Sequence, residues 1–241
     1  MVAAADRFVD AATQAARARG GFRVALAGGS TPEGLYRRLG AEPYRRQVDW
    51  TAMQVFWGDE RCVPPDDAAS NYRMAREALL DRVPIPAANI HRIRGEAEPA
   101  SAARAYETTL RERFGTPAGP PRPGSGFDLV LLGLGPDGHT ASLFPGSAAL
   151  RERERWVLAL QGPVAPPWRV TLTPAVIRTA REVMFLVTGS EKAPALQRAI
   201  EGQGGAADQP ARVVLPPDGV VRWLVDSAAA ARLPGGGPKS A

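Results

Sequence analysis

The chain has 241 residues, 44% of them hydrophobic and 23% charged, enough for a sizeable buried core of ordinary globular composition. Its formal net charge of +5 is spread without a basic stripe or a nucleic-acid motif, so it reads as a solvated basic surface or as a field that draws a small phosphorylated substrate. No stretch approaches the roughly 20 apolar residues of a membrane span, the opening MVAAADRFVDAATQAARARG lacks signal-peptide order, and Cys62 has no disulfide partner. These features predict a cytoplasmic protein with neither nucleic-acid nor membrane partners.

In chain order, Phe8, Val9, Ala12, Ala15 and Ala16 recur at helical spacing across 3–19, and Gly20-Gly21 is the stop. Phe22–Ala27 (FRVALA) is a strand, followed by Gly28-Gly29-Ser30-Thr31-Pro32-Glu33 and a helix through Leu39. Ser30 or Thr31 is expected to cap that helix, with Pro32 in its first turn and Glu33 at its positive end. Backbone N–H groups and hydroxyls converging there make an anion cradle, although a well-capped helix uses the same groups. The turn has neither the three-glycine spacing of a dinucleotide site nor the Gly-Lys-Ser/Thr of a P-loop.

Met53–Trp57 (MQVFW) is a second strand, ending in Gly58-Asp59-Glu60-Arg61-Cys62. Three charges at that point belong either to a ligand crevice beyond the strand's carboxyl end or to a surface ion-pair cluster. After a loop over Pro64–Asp67, Ser70 or Asn71 caps a helix running to about Leu80. Asn89–Ile93 (NIHRI) is expected to be a short strand in which His91 is structural or on the surface. A helix from about Ala100 to Phe114 and a Pro/Gly-rich loop over 115–126 lead to Phe127–Gly146, FDLVLLGLGPDGHTASLFPG. There a buried-type run, Leu129–Leu134, breaks into a Gly-rich turn carrying Asp137 and His139, and Thr140–Leu143 is expected to open a helix. His139 is one of two histidines and the first candidate for proton transfer near neutral pH.

Arg151–Arg155 (RERER) reads as a solvated turn, and Trp156–Leu160 and Arg169–Thr173 as strands, the second flowing into a helix capped by Thr173 with Pro174 in its first turn. Glu182–Thr188 (EVMFLVT) runs into Gly189-Ser190-Glu191-Lys192 and a helix to about Ile200. Residues 201–210 are expected to be loop and Val220–Val225 the last strand. All but two of the 30 Lys and Arg residues are Arg; the exceptions are Lys192 and Lys239, the latter in an expected disordered tail over 234–241. The alternation predicts an α/β fold: an open, mainly parallel, doubly wound, Rossmann-like sheet with helices on both faces, as a single domain over 1–233.

Four strand-to-turn junctions then carry polar groups, at Gly29-Ser30-Thr31, Asp59-Glu60-Arg61, Asp137-Gly138-His139 and Gly189-Ser190-Glu191-Lys192. Parallel strands bring all four to one edge, where an anion cradle, two cations and a histidine beside carboxylates would meet. No Gly-x-Ser-x-Gly elbow is present, Cys62 follows the charged cluster without a second histidine, and the two histidines lack metal-site spacing. No metal and no cofactor are expected, which leaves general acid–base chemistry on a phosphorylated small molecule.

GGSTP (28–32), WGDERCVP (57–64), SNY (70–72), LGLGPDGHTASLFPG (132–146), RVTLT (169–173) and GSEKA (189–193) resemble, in the same order and over nearly the whole chain, the 6-phosphogluconolactonase family. Its fold is shared with glucosamine-6-phosphate deaminases and isomerases. Those typically carry Asp-Glu-Tyr where this chain has Asp59-Glu60-Arg61, and a Glu before the proline where this chain has Phe144 before Pro145. The resemblance implies hydrolysis of 6-phospho-D-glucono-1,5-lactone to 6-phosphogluconate, the second step of the oxidative pentose phosphate pathway, without a metal. It places the phosphate on Gly29, Ser30 and Thr31, with Arg169 and Lys192 closing on it. On the residues' own chemistry, His139 would be the general base, Asp137 or Glu60 would orient its ring, and Arg61 with turn N–H groups would stabilise the oxyanion. Asp59 is counted in the same catalytic cluster. The alternatives are an amino-sugar-phosphate deaminase or isomerase and a non-catalytic phosphosugar-binding regulator. A monomer and a small homo-oligomer are both compatible with the sequence.

Overall fold

The computed structural model describes residues 1–116, 119–120, 122, 124–202, 205 and 209–234. In chain order they form α1 (Val2–Arg19), β1 (Phe22–Leu26), α2 (Ser30–Leu39), β2 (Met53–Trp57), β3 (Asp59–Arg61), α3 (Asn71–Ala78), α4 (Pro99–Phe114), β4 (Leu129–Leu132), β5 (Val157–Gln161), β6 (Trp168–Leu172), α5 (Pro174–Ile177), β7 (Glu182–Val187), α6 (Ala193–Glu201), α7 (Pro210–Val213) and β8 (Val220–Val225). Five strands make a parallel sheet in the order β2-β1-β4-β7-β8. The other three make a small antiparallel sheet, β3-β6-β5.

Every residue of β4 and β7 is buried, so consecutive side chains on opposite faces are both covered and the sheet lies between packed layers. These are the two most continuously apolar runs of the chain, which is why they occupy the middle. β8 at the edge alternates between exposed and half-buried positions. α1 buries Ala4, Ala5, Phe8, Ala11, Ala12 and Ala15, a stripe at helical spacing, and ends at Gly20 in the left-handed conformation.

The structure departs from the sequence reading in several places. Asp59–Arg61 is a strand, drawn into a ladder with Arg169–Thr171 rather than left as a turn. Residues 89–93 form no strand; Ile90 makes one bridge to Val55, and His91 N donates to Val55 O at 2.8 Å. Thr140–Leu143 forms no helix, because its polar groups are bonded to other segments and Ala141 takes a positive φ of 48°. Thr173 holds the N-cap position of α5, but its hydroxyl donates to Arg155 O at 2.6 Å instead of capping. Arg155 is not simply solvated: its Nε donates to Glu107, at 3.1 Å. The expected 115–126 and 201–210 loops fall partly, and the tail beyond Pro234 wholly, outside the described residues. Among the described residues no helix is long and apolar enough to cross a membrane.

His91 is only 8% exposed, stacked on Phe56 at 4.7 Å with its Nε2 2.6 Å from Gln54 Oε1. Burial, with the nearby Arg113 charge, pushes its pKa from 6.5 down to about 4. Between those values the unfolded chain takes up a proton that the folded chain refuses, so stability falls as pH drops through that window. Chemical denaturation of His91→Leu at pH 7 and pH 4.5 should therefore show a smaller acid loss than the parent. An equal loss in both proteins would remove His91 from the acid response.

Candidate active site

The chain leaves β1 for β2 on one side of the sheet and later enters β4 on the other side. This reversal opens a crevice beyond the carboxyl ends of β1 and β4, the usual ligand position in an open α/β sheet. A cavity of ≈ 220 Å³ lies there. Its walls are the Ala27–Pro32 turn after β1, Asp59 and Arg61 on β3, Asn71 at the start of α3, Gly133–Gly135 and His139–Ala141 from the turn after β4, and the end of β7 with Lys192. All four polar junctions read from the sequence thus contribute to one cavity.

His139 is held by a tight turn in which Gly135 N donates to His139 O at 2.8 Å and Gly138 N to Gly135 O at 3.0 Å. Asp137 Oδ1 lies 2.6 Å from the ring Nδ1 and accepts from the His139 backbone N–H at 3.1 Å. A Cβ on Gly135 would overlap the imidazole, so the ring can lie in this place only over a glycine. Burial works to raise the Asp137 pKa, but the backbone and ring bonds from His139 outweigh it and hold the carboxyl below the usual range. An ionised Asp137 makes Nδ1 the protonated, donating nitrogen. Nε2 then carries the lone pair and has no partner among the described residues. The Phe144 ring lies 5.1 Å from the imidazole.

The anion cradle is built differently from the expectation. The N-cap of α2 is Gly29, at φ 99° and ψ 164°, a conformation open to glycine and strained for other residues. Neither Ser30 nor Thr31 caps the helix; Thr31 Oγ1 instead bonds Thr188 Oγ1 at 2.6 Å, joining the turn after β1 to the end of β7. With no side chain capping α2, the N–H groups of its first turn are left to the cavity, at the positive end of the helix dipole. Lys192 closes a 3-10 turn, Ser190–Lys192, whose leading Gly189 N–H is held by Asp226 at 3.2 Å.

The three charges after β2 separate. Arg61 lines the cavity, its Nη1 donating to Ala69 O at 2.6 Å. Asp59 also lines the cavity, but its carboxylate accepts from Ser142 Oγ at 2.7 Å and Asn71 Nδ2 at 3.3 Å. Glu60 does not reach His139 or the cavity. It is 3% exposed and accepts from the N–H groups of Arg61, Asn71 and Tyr72 at 2.7–2.8 Å and from Ser70 Oγ at 3.1 Å, closing the N-terminus of α3. Burial pushes its pKa up against the pull of these bonds. Neither reading of this cluster as one unit, crevice charges or surface ion pairs, describes it.

Arg169 is likewise outside the cavity lining. It is 5% exposed and sits opposite Arg61 across the β3–β6 ladder. Its Nη2 donates to Val164 O at 3.3 Å, while its buried Nη1 has no partner among the described residues. Burial and the Arg61 charge lower its pKa. Asn71, Ser142 and Thr188 were not read from the sequence as site residues. The SNY stretch and the block containing Ser142 carried the family resemblance, but their own chemistry was read only as a helix cap and the start of a helix. Among the described residues no cluster of histidine, cysteine or carboxylates is placed to hold a metal ion.

The sequence profile of the family described as glucosamine-6-phosphate isomerases/6-phosphogluconolactonase matches residues 1–223, and the chain belongs to that family. It is 41% identical over 222 residues to a 6-phosphogluconolactonase of Nostoc sp., covering 91% of this chain and 88% of that one. The solved 6-phosphogluconolactonase from Trypanosoma cruzi superposes with a TM-score of 0.82 at 34% identity, over 96% of this chain and 91% of that one. A monomeric glucosamine-6-phosphate deaminase shares the fold alone, with a TM-score of 0.78 at 21% identity over 95% of this chain and 93% of that one.

Replacing Glu60 with Gln puts an amide nitrogen against donors that need an acceptor. Glu60→Gln should lower the unfolding free energy by about 1–3 kcal/mol, the cost of buried polar groups left unpaired. Urea denaturation with an unchanged m-value checks it; an unchanged midpoint would mean that α3 is not anchored through this carboxylate.

Proposed function

We propose that this protein is a 6-phosphogluconolactonase, hydrolysing 6-phospho-D-glucono-1,5-lactone to 6-phospho-D-gluconate in the oxidative pentose phosphate pathway. Residues 1–233 act as one catalytic domain, and the reaction takes place in the cytoplasm. The observation that carries this reading is His139, on the wall of a cavity that also holds an uncapped helix N-terminus and two cations, with Asp137 Oδ1 2.6 Å from its ring Nδ1.

The substrate's phosphate rests on the N–H groups of Gly29, Ser30 and Thr31 at the start of α2, with Lys192 as its nearest cation. Arg61 adds the second positive charge; the two cations match the phosphate dianion, and turn N–H groups with Arg61 face the charge that develops on the carbonyl oxygen. Arg169 supports this field from outside the cavity lining. Nε2 of His139 takes a proton from water as the water oxygen adds to the lactone carbonyl carbon. The carbon–ring oxygen bond then breaks, and the imidazolium returns the proton to the departing ring oxygen. Asp137 keeps Nδ1 protonated and stabilises the imidazolium between the two steps. Glu60 and Asp59 act on wall geometry and leave proton transfer to His139. Phe144 puts an apolar ring beside the imidazole, where deamination of an amino sugar would need a polar partner.

A coupled assay with freshly prepared lactone tests the reading. His139→Asn should cut turnover above the spontaneous rate by about 10²–10⁴-fold, the usual contribution of a general base. Near-parental turnover would remove His139 from that role. Ammonia release from glucosamine 6-phosphate by the parent protein would instead favour the amino-sugar reaction. Lys192→Ala should act chiefly on KM, raising it roughly 10- to 100-fold for the loss of a charge-assisted bond. Unchanged KM would take Lys192 out of the phosphate subsite.

A further inference from the structure

The turn that delivers Lys192 to the cavity is tied to the edge strand of the sheet. β8 runs parallel to β7 with Val225 opposite Val187, so Asp226 is the first residue past the ladder. Its backbone N–H donates to Val187 O at 3.2 Å, and both of its carboxylate oxygens accept from Gly189 N–H, each at 3.2 Å. One residue thus grips the segment 187–189 at both ends. Oδ1 also accepts from Ala229 N–H at 2.7 Å, at the start of a 3-10 turn, Ala229–Arg232, whose first residue is fully buried. That bond fixes the orientation of a carboxylate that is otherwise exposed.

Gly189 converts this grip into a position for Lys192. Its φ of 99° and ψ of 142° are strained for any residue with a side chain. While its N–H is held by Asp226, its carbonyl accepts from Lys192 N–H at 3.2 Å and closes the turn. The gripped segment also carries Thr188, whose hydroxyl lies 2.6 Å from that of Thr31 in the turn after β1. Lys192 and Thr188 line the cavity, whereas Asp226 does not. Its carboxylate is given to backbone N–H groups, not to the Lys192 ammonium.

We infer that Asp226 is a positioning residue for the anion seat, holding Gly189 and through it Lys192 in place from outside the cavity. The consequence for KM rests on the lactonase reading; the hydrogen-bonded link does not. Two effects of Asp226 have opposite signs. As a negative charge near the seat it weakens anion binding, so removing the charge alone should lower KM. As an acceptor it holds the turn, so removing the acceptor should raise KM. Asp226→Asn removes the charge and keeps an oxygen for Gly189 and Ala229, whereas Asp226→Ala removes both.

The test reads two signals in the parent and both variants: kcat and KM for the lactone, and amide hydrogen exchange at Gly189 and Lys192. Asp226→Ala is expected to speed exchange at both amides and to raise KM about 3- to 10-fold, the scale of one hydrogen bond, with kcat nearly unchanged. Asp226→Asn is expected to hold KM at or below the parent's. In a Lys192→Ala background, Asp226→Ala should raise KM far less, because its effect passes through Lys192. Lys192 exchange unchanged from the parent in Asp226→Ala overturns the inference, and so does a KM that falls in both variants or rises equally with and without Lys192. Failure of the lactonase reading would appear separately, as absent turnover in a parent protein whose Gly189 and Lys192 amides still respond to Asp226→Ala.

Discussion

Two adjacent buried carboxylates hold the walls of the site together. A buried charge is tolerated only when donors surround it, and the donors for Asp59 and Glu60 come from three separate segments. Glu60 collects N–H groups from the start of α3 and from its own strand. Asp59 takes the Asn71 amide and the Ser142 hydroxyl. Ser142 N also donates to Thr171 Oγ1 at 3.3 Å, on the strand opposite Asp59. Satisfying these charges therefore forces α3, the small antiparallel sheet and the loop after His139 to converge. The cavity wall follows from that convergence, and Arg61 is carried into it as the next residue along β3.

A second constraint comes from opening the sheet. Where β1 and β2 leave their ladder, peptide groups lose partners in a dry interior. Two buried tyrosines replace them. Tyr36 Oη accepts from Ala27 N and donates to Ala27 O, both at 2.8 Å; Tyr106 Oη does the same for Trp57, at 2.8 and 3.0 Å. Burial drives both phenol pKa values upward, so each hydroxyl stays neutral and able to play both roles. The crevice thus opens without orphaned backbone groups at its root, which keeps the Gly28–Thr31 turn fixed in front of α2.

How much of this was legible depended on whether the signal lay in one segment or between segments. The five parallel strands are apolar runs stopped by glycine or a polar turn, and that pattern survives in the sequence. So does the convergence of the four junctions, which follows from parallel strands alone. β3 was invisible because Asp59-Glu60-Arg61 has no apolar alternation; its pairing is dictated by Arg169–Thr171, more than a hundred residues away. Thr140–Leu143 read as a helix start because threonine and serine favour caps, whereas their hydroxyls go to Gly133 O and Asp59. Glu60 and Asp137 were equivalent candidates to orient His139 on paper. The two-residue spacing of Asp137 and His139 within one glycine turn decided between them.

The distribution of positive charge then gives the site its direction. Arg61 and Arg169 face each other across the β3–β6 ladder, a like-charge placement that is unfavourable on its own. Asp59 and Glu60 lie close enough to act on Arg169 electrostatically, but their oxygens are already committed to neutral donors. The field of both guanidiniums therefore extends toward the cavity, where Lys192 adds to it from the turn after β7. In the proposed reaction a phosphate held there would be remote from the carbon under attack, so its binding energy would be available to fix the lactone against His139 rather than being consumed at the reacting bond. α6 begins immediately after Lys192, and its Arg198 borders the same small cavity as Asp137, so one short helix runs from the cation on the large cavity to the turn that carries His139.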